Sequence, residues 1–206
     1  MEERGLSINS RAVHLRNIRA VINYAIDEEL ISNYPFRKFS IRTEQTRKRS
    51  LTVDELIALR DYKLEGIAVK YRDIFMLMFY LIGINGVDLF GDCQIVNGRL
   101  EYRRSKTGKL YSIKIEPEAM EIIKRYEGDG KVVAVPEENG DYGYFMIRMA
   151  TRLKKIGKEK GGDSLFPGLS SYWARHTWAT IAASLDIPKE TISAALGHEI
   201  GSPITS

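Results

Sequence analysis

A single cysteine, Cys93, stands in 206 residues. That excludes a disulfide framework and any cysteine-based zinc site. The three histidines, His14, His176 and His198, lie too far apart in sequence to give metal-ligand spacing. No metal and no cofactor are expected. The longest apolar run, from Ile74 to Ile84, is too short to cross a bilayer. The first residues, Met1-Glu2-Glu3-Arg4, are polar and mixed in charge, unlike the apolar core of a signal peptide. A soluble, cytoplasmic chain with no membrane partner is the expectation. With 44% hydrophobic residues the chain has enough apolar material for a packed core.

Its positive charge is unevenly spread. The windows Arg37–Arg49, Arg99–Lys114 and Arg148–Lys160 hold 18 of the 31 basic residues and 3 of the 27 acids. What remains carries 13 basic against 24 acidic residues, so an acidic body bears three basic segments. Taken singly, a charged run is a solvated face or a soluble linker. Three together favour a polyanion, and nucleic acid first.

The final stretch, SYWARHTWATIAASLDIPKETISAALGHEIGSPITS from Ser171 to Ser206, organises the rest. Apolar residues at helical spacing run through Trp178, Ile181, Ala182 and Leu185, then through Ile192, Ala195 and Leu196. Asp186 stops the first helix, Pro188 starts the second, and Gly197 ends it in a left-handed turn. Arg175 therefore heads one helix and His198 follows the tail of the next.

Arg175-His176-Thr177, an apolar helix, a short turn and Leu196-Gly197-His198 together resemble a tyrosine recombinase of the phage-integrase family. The resemblance implies a mainly α fold with a small antiparallel β-sheet. It makes Arg175 the second catalytic arginine and His198 the later catalytic histidine. Tyr172 stands where the family has the first histidine of His-x-x-Arg. The family's nucleophilic tyrosine is expected just beyond Ser206, and none follows His198 here. The stretch also fits a helix-turn-helix DNA-binding regulator, with Asp186 where such readers have glycine. A plain amphipathic hairpin within a core is the third reading.

Upstream, residues 1–34 read as a helix capped by Ser7 or Asn9. Its stripe is Ala12, Leu15, Ile18, Ala20, Val21, Ile22, Ala25 and Ile26, and Arg11, Arg16 and Arg19 take the more exposed positions. Asn33-Tyr34-Pro35 is expected to end it. By the resemblance, residues 1–36 are the last part of a helical core-binding (SAM-like) domain, the chain being cut short at this end too. Residues 37–50 form a basic linker, read either as a solubilising connector or as a strap across DNA through Arg47 and Lys48. Residues 51–206 are the catalytic domain.

That domain opens on a capping box at Thr52 and Glu55. A buried helix is expected from Tyr71 to about Ile82. The family's first catalytic arginine should fall near Asn85, a few residues before an acid that Asp88 matches. No arginine lies between Arg72 and Arg99. Another arginine reaches the phosphate, or the clamp is weakened, or the protein is a binding relative that does not cleave.

Residues 95–116 read as strands with tight turns at Asn97-Gly98 and Lys106-Thr107-Gly108-Lys109. This places Lys106 at a hairpin tip, the position of the family's general-acid lysine, with Arg103, Arg104 and Lys109 as DNA contacts. Helices follow over 117–126 and 144–160. The second sets Phe145, Ile147, Met149, Leu153 and Ile156 against Arg148, Arg152 and Lys155, expected on DNA phosphates. Tyr142 and Tyr144, with Phe145, are read as core, and Gly161-Gly162 as the helix end. His176 is expected to pack inward. Double-stranded DNA is the expected partner, with self-association on it.

Overall fold

The helix that sequence analysis expected to be buried is the centre of the larger unit. In this computed structural model, which describes residues 5–46, 49–134, 142–158 and 163–197, helix α3 spans Ile67–Tyr80. It begins four residues earlier than expected, after Gly66 turns the chain at φ 58°. Tyr71 and the run from Asp73 to Met78 are buried, so α3 is covered on nearly every side. Fully burying one Leu, Ile, Met or Phe is worth about 1.5–3 kcal/mol. The helix therefore anchors what packs on it: α2 (Val53–Asp61), α5 (Pro117–Tyr126), α6 (Tyr142–Leu153) and α7 (Ser171–Ser184).

Local signals set the ends of these helices. Thr52 accepts a hydrogen bond from the Glu55 amide at 3.2 Å, and the Glu55 carboxylate accepts one from the Thr52 amide at 2.8 Å. The capping box is formed. Pro117 opens α5, where its missing N–H costs nothing. One acid joins α3 to α5: buried Asp73 takes the Arg72 guanidinium at 2.9 Å, Arg125 at 2.5 Å and the Tyr126 hydroxyl at 2.8 Å. Burial, then the bond to Asp73, pushes the Tyr126 phenol up to about 12.

Between α3 and α5 the chain makes the one-turn helix α4 (Gly86–Leu89) and three antiparallel strands in the order β1-β2-β3. These are β1 (Gln94–Val96), β2 (Arg99–Arg103) and β3 (Leu110–Lys114). Asn97 and Gly98 both take positive φ, at 50° and 72°, as a two-residue primed turn requires. Leu100 faces Ile113 and Tyr102 faces Tyr111 across the ladder. Leu100, Tyr102 and Ile113 are buried, whereas Arg99 and Arg103 point to solvent. Among the described residues the fold is helix-rich with one small antiparallel sheet.

Several expectations need correction. Helix α6 stops at Leu153, not Lys160, so the expected end at Gly161-Gly162 lies both past the helix and outside the described residues. Ile147 is 66% exposed: Phe145, Met149 and Leu153 repeat at four-residue spacing, and Ile147 falls off that row. Tyr144 is also exposed rather than core, with the Arg148 guanidinium 5.0 Å over its ring. Leu185 caps α7 and is exposed.

The chain divides into two units, Met1–Lys48 and Arg49–Ser206. In the first, α1 runs Ile8–Asp27, capped by Ser7, whose side chain accepts from the Ser10 amide. It ends well before Asn33-Tyr34-Pro35, because Glu29 takes a left-handed conformation at φ 58°. Its covered face is Ala12, Leu15, Arg19, Ile22 and Ile26, spaced by threes and fours; Ile18, Ala20 and Val21 are exposed. Arg11 and Arg19 are half-buried, against the expectation for both. Residues following Arg37 are tied back onto α1. The Asn9 amide donates to the Glu44 carbonyl at 2.9 Å and accepts from the Glu44 amide at 3.0 Å. Arg11, Lys38, Phe39 and Arg42 line a hollow of about 540 Å³ there. Among the described residues no helix is long and apolar enough to cross a membrane.

Candidate functional site

Helical spacing aims Arg175 at the site. On α7, Ala174 and Thr177 are fully buried against the core, and the Thr177 hydroxyl accepts the Leu51 amide at 3.0 Å. That fixes the roll of the helix and swings Arg175 toward the turns at its flank. Its guanidinium donates to the Gly83 carbonyl at 3.3 Å and to the Leu196 carbonyl at the end of α8 (Lys189–Ala195). Gly83 is doubly required. Its φ is 66°, and a Cβ there would collide with the Arg175 backbone.

The turns that frame α8 follow the sequence expectation. Asp186 takes φ 57° after α7, Pro188 caps α8, and Gly197 takes φ 73° beyond it. A second arginine arrives here from the sheet. Arg104, just past β2, donates to the Leu196 carbonyl at 3.0 Å and lies 3.5 Å from the Gly197 carbonyl. Strand alternation explains why it turns in while its neighbour turns out. Arg104 shares its face with buried Leu100 and Tyr102, whereas exposed Arg103 reaches across the loop to the Gly108 carbonyl at 2.9 Å.

Two tyrosines complete this corner. Tyr102 and Tyr111 stack at 5.2 Å with an interplanar angle of 16°. The Tyr111 hydroxyl is buried and, among the described residues, has no hydrogen-bond partner. It lies against Gly197, where any side chain would strike it. Burial, and then the charge of Arg104, push the Arg175 guanidinium below its ordinary value. Burial pushes the Tyr102 phenol well up. Among the described residues neither Arg104 nor Arg175 forms an ion pair. Two cations thus converge on one carbonyl with no ion pair to either among the described residues, an arrangement that an incoming anion would relieve.

Asp88, the acid matched by sequence, is buried and holds the hairpin. It accepts the Ser105 amide at 2.8 Å and the Ser105 hydroxyl at 2.7 Å. The loop it braces closes through Arg104 and Gly108, whose φ is 67°, and carries Lys106 and Lys109 exposed. Tyr172 is half exposed and meets the His176 ring edge-on at 4.6 Å. His176 does not pack inward: Ala174 and Thr177 take the core side, leaving it exposed. Its imidazole is pushed below the ordinary histidine value by partial burial, then by Arg49 and Arg175.

Arg148 and Arg152 lie exposed on α6, and Lys155 lies exposed just after it. Asn85, where the resemblance places an arginine, caps α4. His198, Arg47 and Lys48 lie outside the described residues. Sequence reasoning missed Gly83, Tyr102 and Tyr111 as parts of this corner. The parity of Arg104 with Leu100 and Tyr102 was the available signal for its inward turn.

This fold has solved counterparts. The chain superposes on a lambda integrase dimer bound to a COC′ core site with a TM-score of 0.69, at 18% identity, covering 94% of this chain and 73% of that one. A Tn1549 transposon integrase in complex with circular intermediate DNA gives 0.61 at 20% identity, covering 98% and 75%. A lambda integrase tetramer bound to a Holliday junction gives 0.63 at 20%, covering 90% and 55%. The expected integrase-type fold is the fold observed. Residues 1–41 match the phage integrase SAM-like domain family. No curated protein sequence matches the chain. The domain match covers residues 1–41, and the structural matches show that the chain shares the integrase fold.

Proposed function

We propose that the chain binds duplex DNA and holds one backbone phosphate at Arg175, as the phosphate-binding part of a site-specific recombination or integration machinery. The observation that carries this reading is the convergence of Arg175 on the Leu196–Gly197 turn beneath the hairpin that bears Lys106. A guanidinium suits a phosphodiester because its planar fork donates two hydrogen bonds at once. In the proposed reaction a tyrosine hydroxyl attacks phosphorus and loses its proton to His198 or solvent, the bond to the 5′-oxygen breaks, and the 3′-phosphate becomes a tyrosine ester. Lys106 gives the departing 5′-oxygen its proton. Arg175 offsets the negative charge that gathers on the nonbridging oxygens. His198 and Tyr172 are assigned hydrogen bonds to the same phosphate. Attack by a 5′-hydroxyl on the ester reverses the step and joins strands.

Residues 1–36 are proposed as part of a helical DNA clamp, residues 37–50 as a strap along the DNA backbone, and 51–206 as the catalytic domain. The strap would contact phosphates through Arg47 and Lys48, the hairpin through Arg103 and Lys109, and α6 with the turn after it through Arg148, Arg152 and Lys155. Similar structures include a dimer and a tetramer on DNA. Self-association on DNA is proposed here too, since strand exchange needs more than one site.

The left-handed Asp186 between α7 and α8 favours a second reading, a helix-turn-helix regulator. That reading gives Lys106 no role.

The test is a duplex titration at several salt concentrations, followed by denaturing electrophoresis on nicked DNA. Salt-sensitive binding is expected. No tyrosine follows His198 in the sequence, so the 206-residue chain should leave no denaturation-resistant adduct. Absence of binding would sink the reading, and an adduct on Tyr172 would reverse the role given to that residue.

A further inference from the structure

We propose that Arg104 is the second guanidinium of the phosphate clamp, doing from the sheet what the family resemblance expected of an arginine near Asn85. This rests on the reading of Arg175 as a phosphate ligand. Asn85 sits at the cap of α4, and the loop before it is pressed through Gly83 onto the Arg175 backbone. The flanking arginines in sequence are committed elsewhere. Arg72 donates to Asp73 and to the carbonyls of Arg60 and Tyr62, at 3.0 and 2.9 Å. Arg99 donates to the side chain and carbonyl of Ser112, at 2.8 and 2.6 Å. Arg103 is on the solvent face of its strand.

Arg104 alone of these meets Arg175, both guanidiniums donating to the Leu196 carbonyl. A carbonyl shared by two cations is a poor substitute for an anion with oxygens to spare. Beside them, the Tyr111 hydroxyl is buried and has no partner among the described residues, a third donor free to meet an anion. A phosphate drawn into this corner would take hydrogen bonds from Arg104, Arg175 and Tyr111. It would also sit beside Lys106, whose α-carbon is two residues, at most about 7 Å of chain, from that of Arg104. The hairpin then acts as a unit: Ser105 is fastened to Asp88, Arg104 faces the phosphate, and Lys106 faces the leaving oxygen.

The test uses the whole chain labelled with nitrogen-15 in arginine and titrated with inorganic phosphate. The Nε–H resonances of Arg104 and Arg175 are followed, each assigned by its loss in R104K and R175K. Both should move along one saturation curve. R104A should weaken phosphate binding read at Arg175 by about tenfold or more, as for a lost charge-assisted hydrogen bond, with R104K retaining part of it. An Arg175 response unchanged by R104A overturns the proposal and leaves Arg175 as a single clamp. No response at either arginine overturns the phosphate reading of Arg175 as well. Thermal unfolding of R104K and K109A checks that the hairpin survives substitution.

Discussion

Gly197 is held by two requirements at once. Its φ of 73° is costly for a residue with a Cβ, and any Cβ would strike the Tyr111 hydroxyl. Gly197→Ala should therefore destabilise the chain by about 1–3 kcal/mol through backbone strain. It should also break the Tyr102–Tyr111 stack. Chemical denaturation measures the first effect and near-ultraviolet circular dichroism the second. An alanine variant of unchanged stability and spectrum would mean that this corner is looser than the geometry describes. At this scale the sequence was partly legible. Leu196-Gly197 and Arg175 carried the family pattern, and Gly197 was marked as a left-handed helix end. Its second duty, making room for Tyr111, depends on a strand some 85 residues away in sequence, which no local pattern reports.

At the level of elements, the hairpin was the most readable feature. Asn97-Gly98 and the Lys106–Lys109 turn set the register, and alternation then sorts its arginines. Arg103 goes to solvent and Arg104 to the interior, although both were read as equivalent DNA contacts. Helix ends were read less well where left-handed residues other than glycine stop them, as Glu29 does after α1. Ile147 and Arg19 show the same limit from another side: a generous apolar stripe covers more than one helical face, and only packing chooses which. The exposed Lys109 should behave as a simple phosphate contact. Lys109→Ala should weaken duplex binding evenly across sequences and shallow the slope of log K against log salt by about 0.9. A titration series over several salt concentrations decides it, and an unaltered slope would remove Lys109 from the interface.

Over the whole molecule, charge and fold tell one story. Among the described residues, the three basic windows fall on the first unit's trailing segment and Arg49, on the hairpin, and on α6 with the residues up to Lys158. Composition alone pointed to a polyanion, and the family pattern pointed to DNA. What composition could not show is that two basic residues, Arg104 and Arg175, leave the solvated surface and share one carbonyl, with no ion pair to either among the described residues. Stability alone does not explain that arrangement, because like charges half-buried together repel.

The most direct measurement is fluorescence anisotropy of a labelled duplex with the 206-residue chain and its Arg175→Ala variant, across a range of salt. Salt-sensitive binding is expected, weakened by about tenfold in Arg175→Ala, the cost of one charged hydrogen-bonding group, with a slope shallower by about 0.9. Equal affinity and equal slope in a folded variant would contradict it, since Arg175 would then be a structural arginine serving only Gly83 and Leu196.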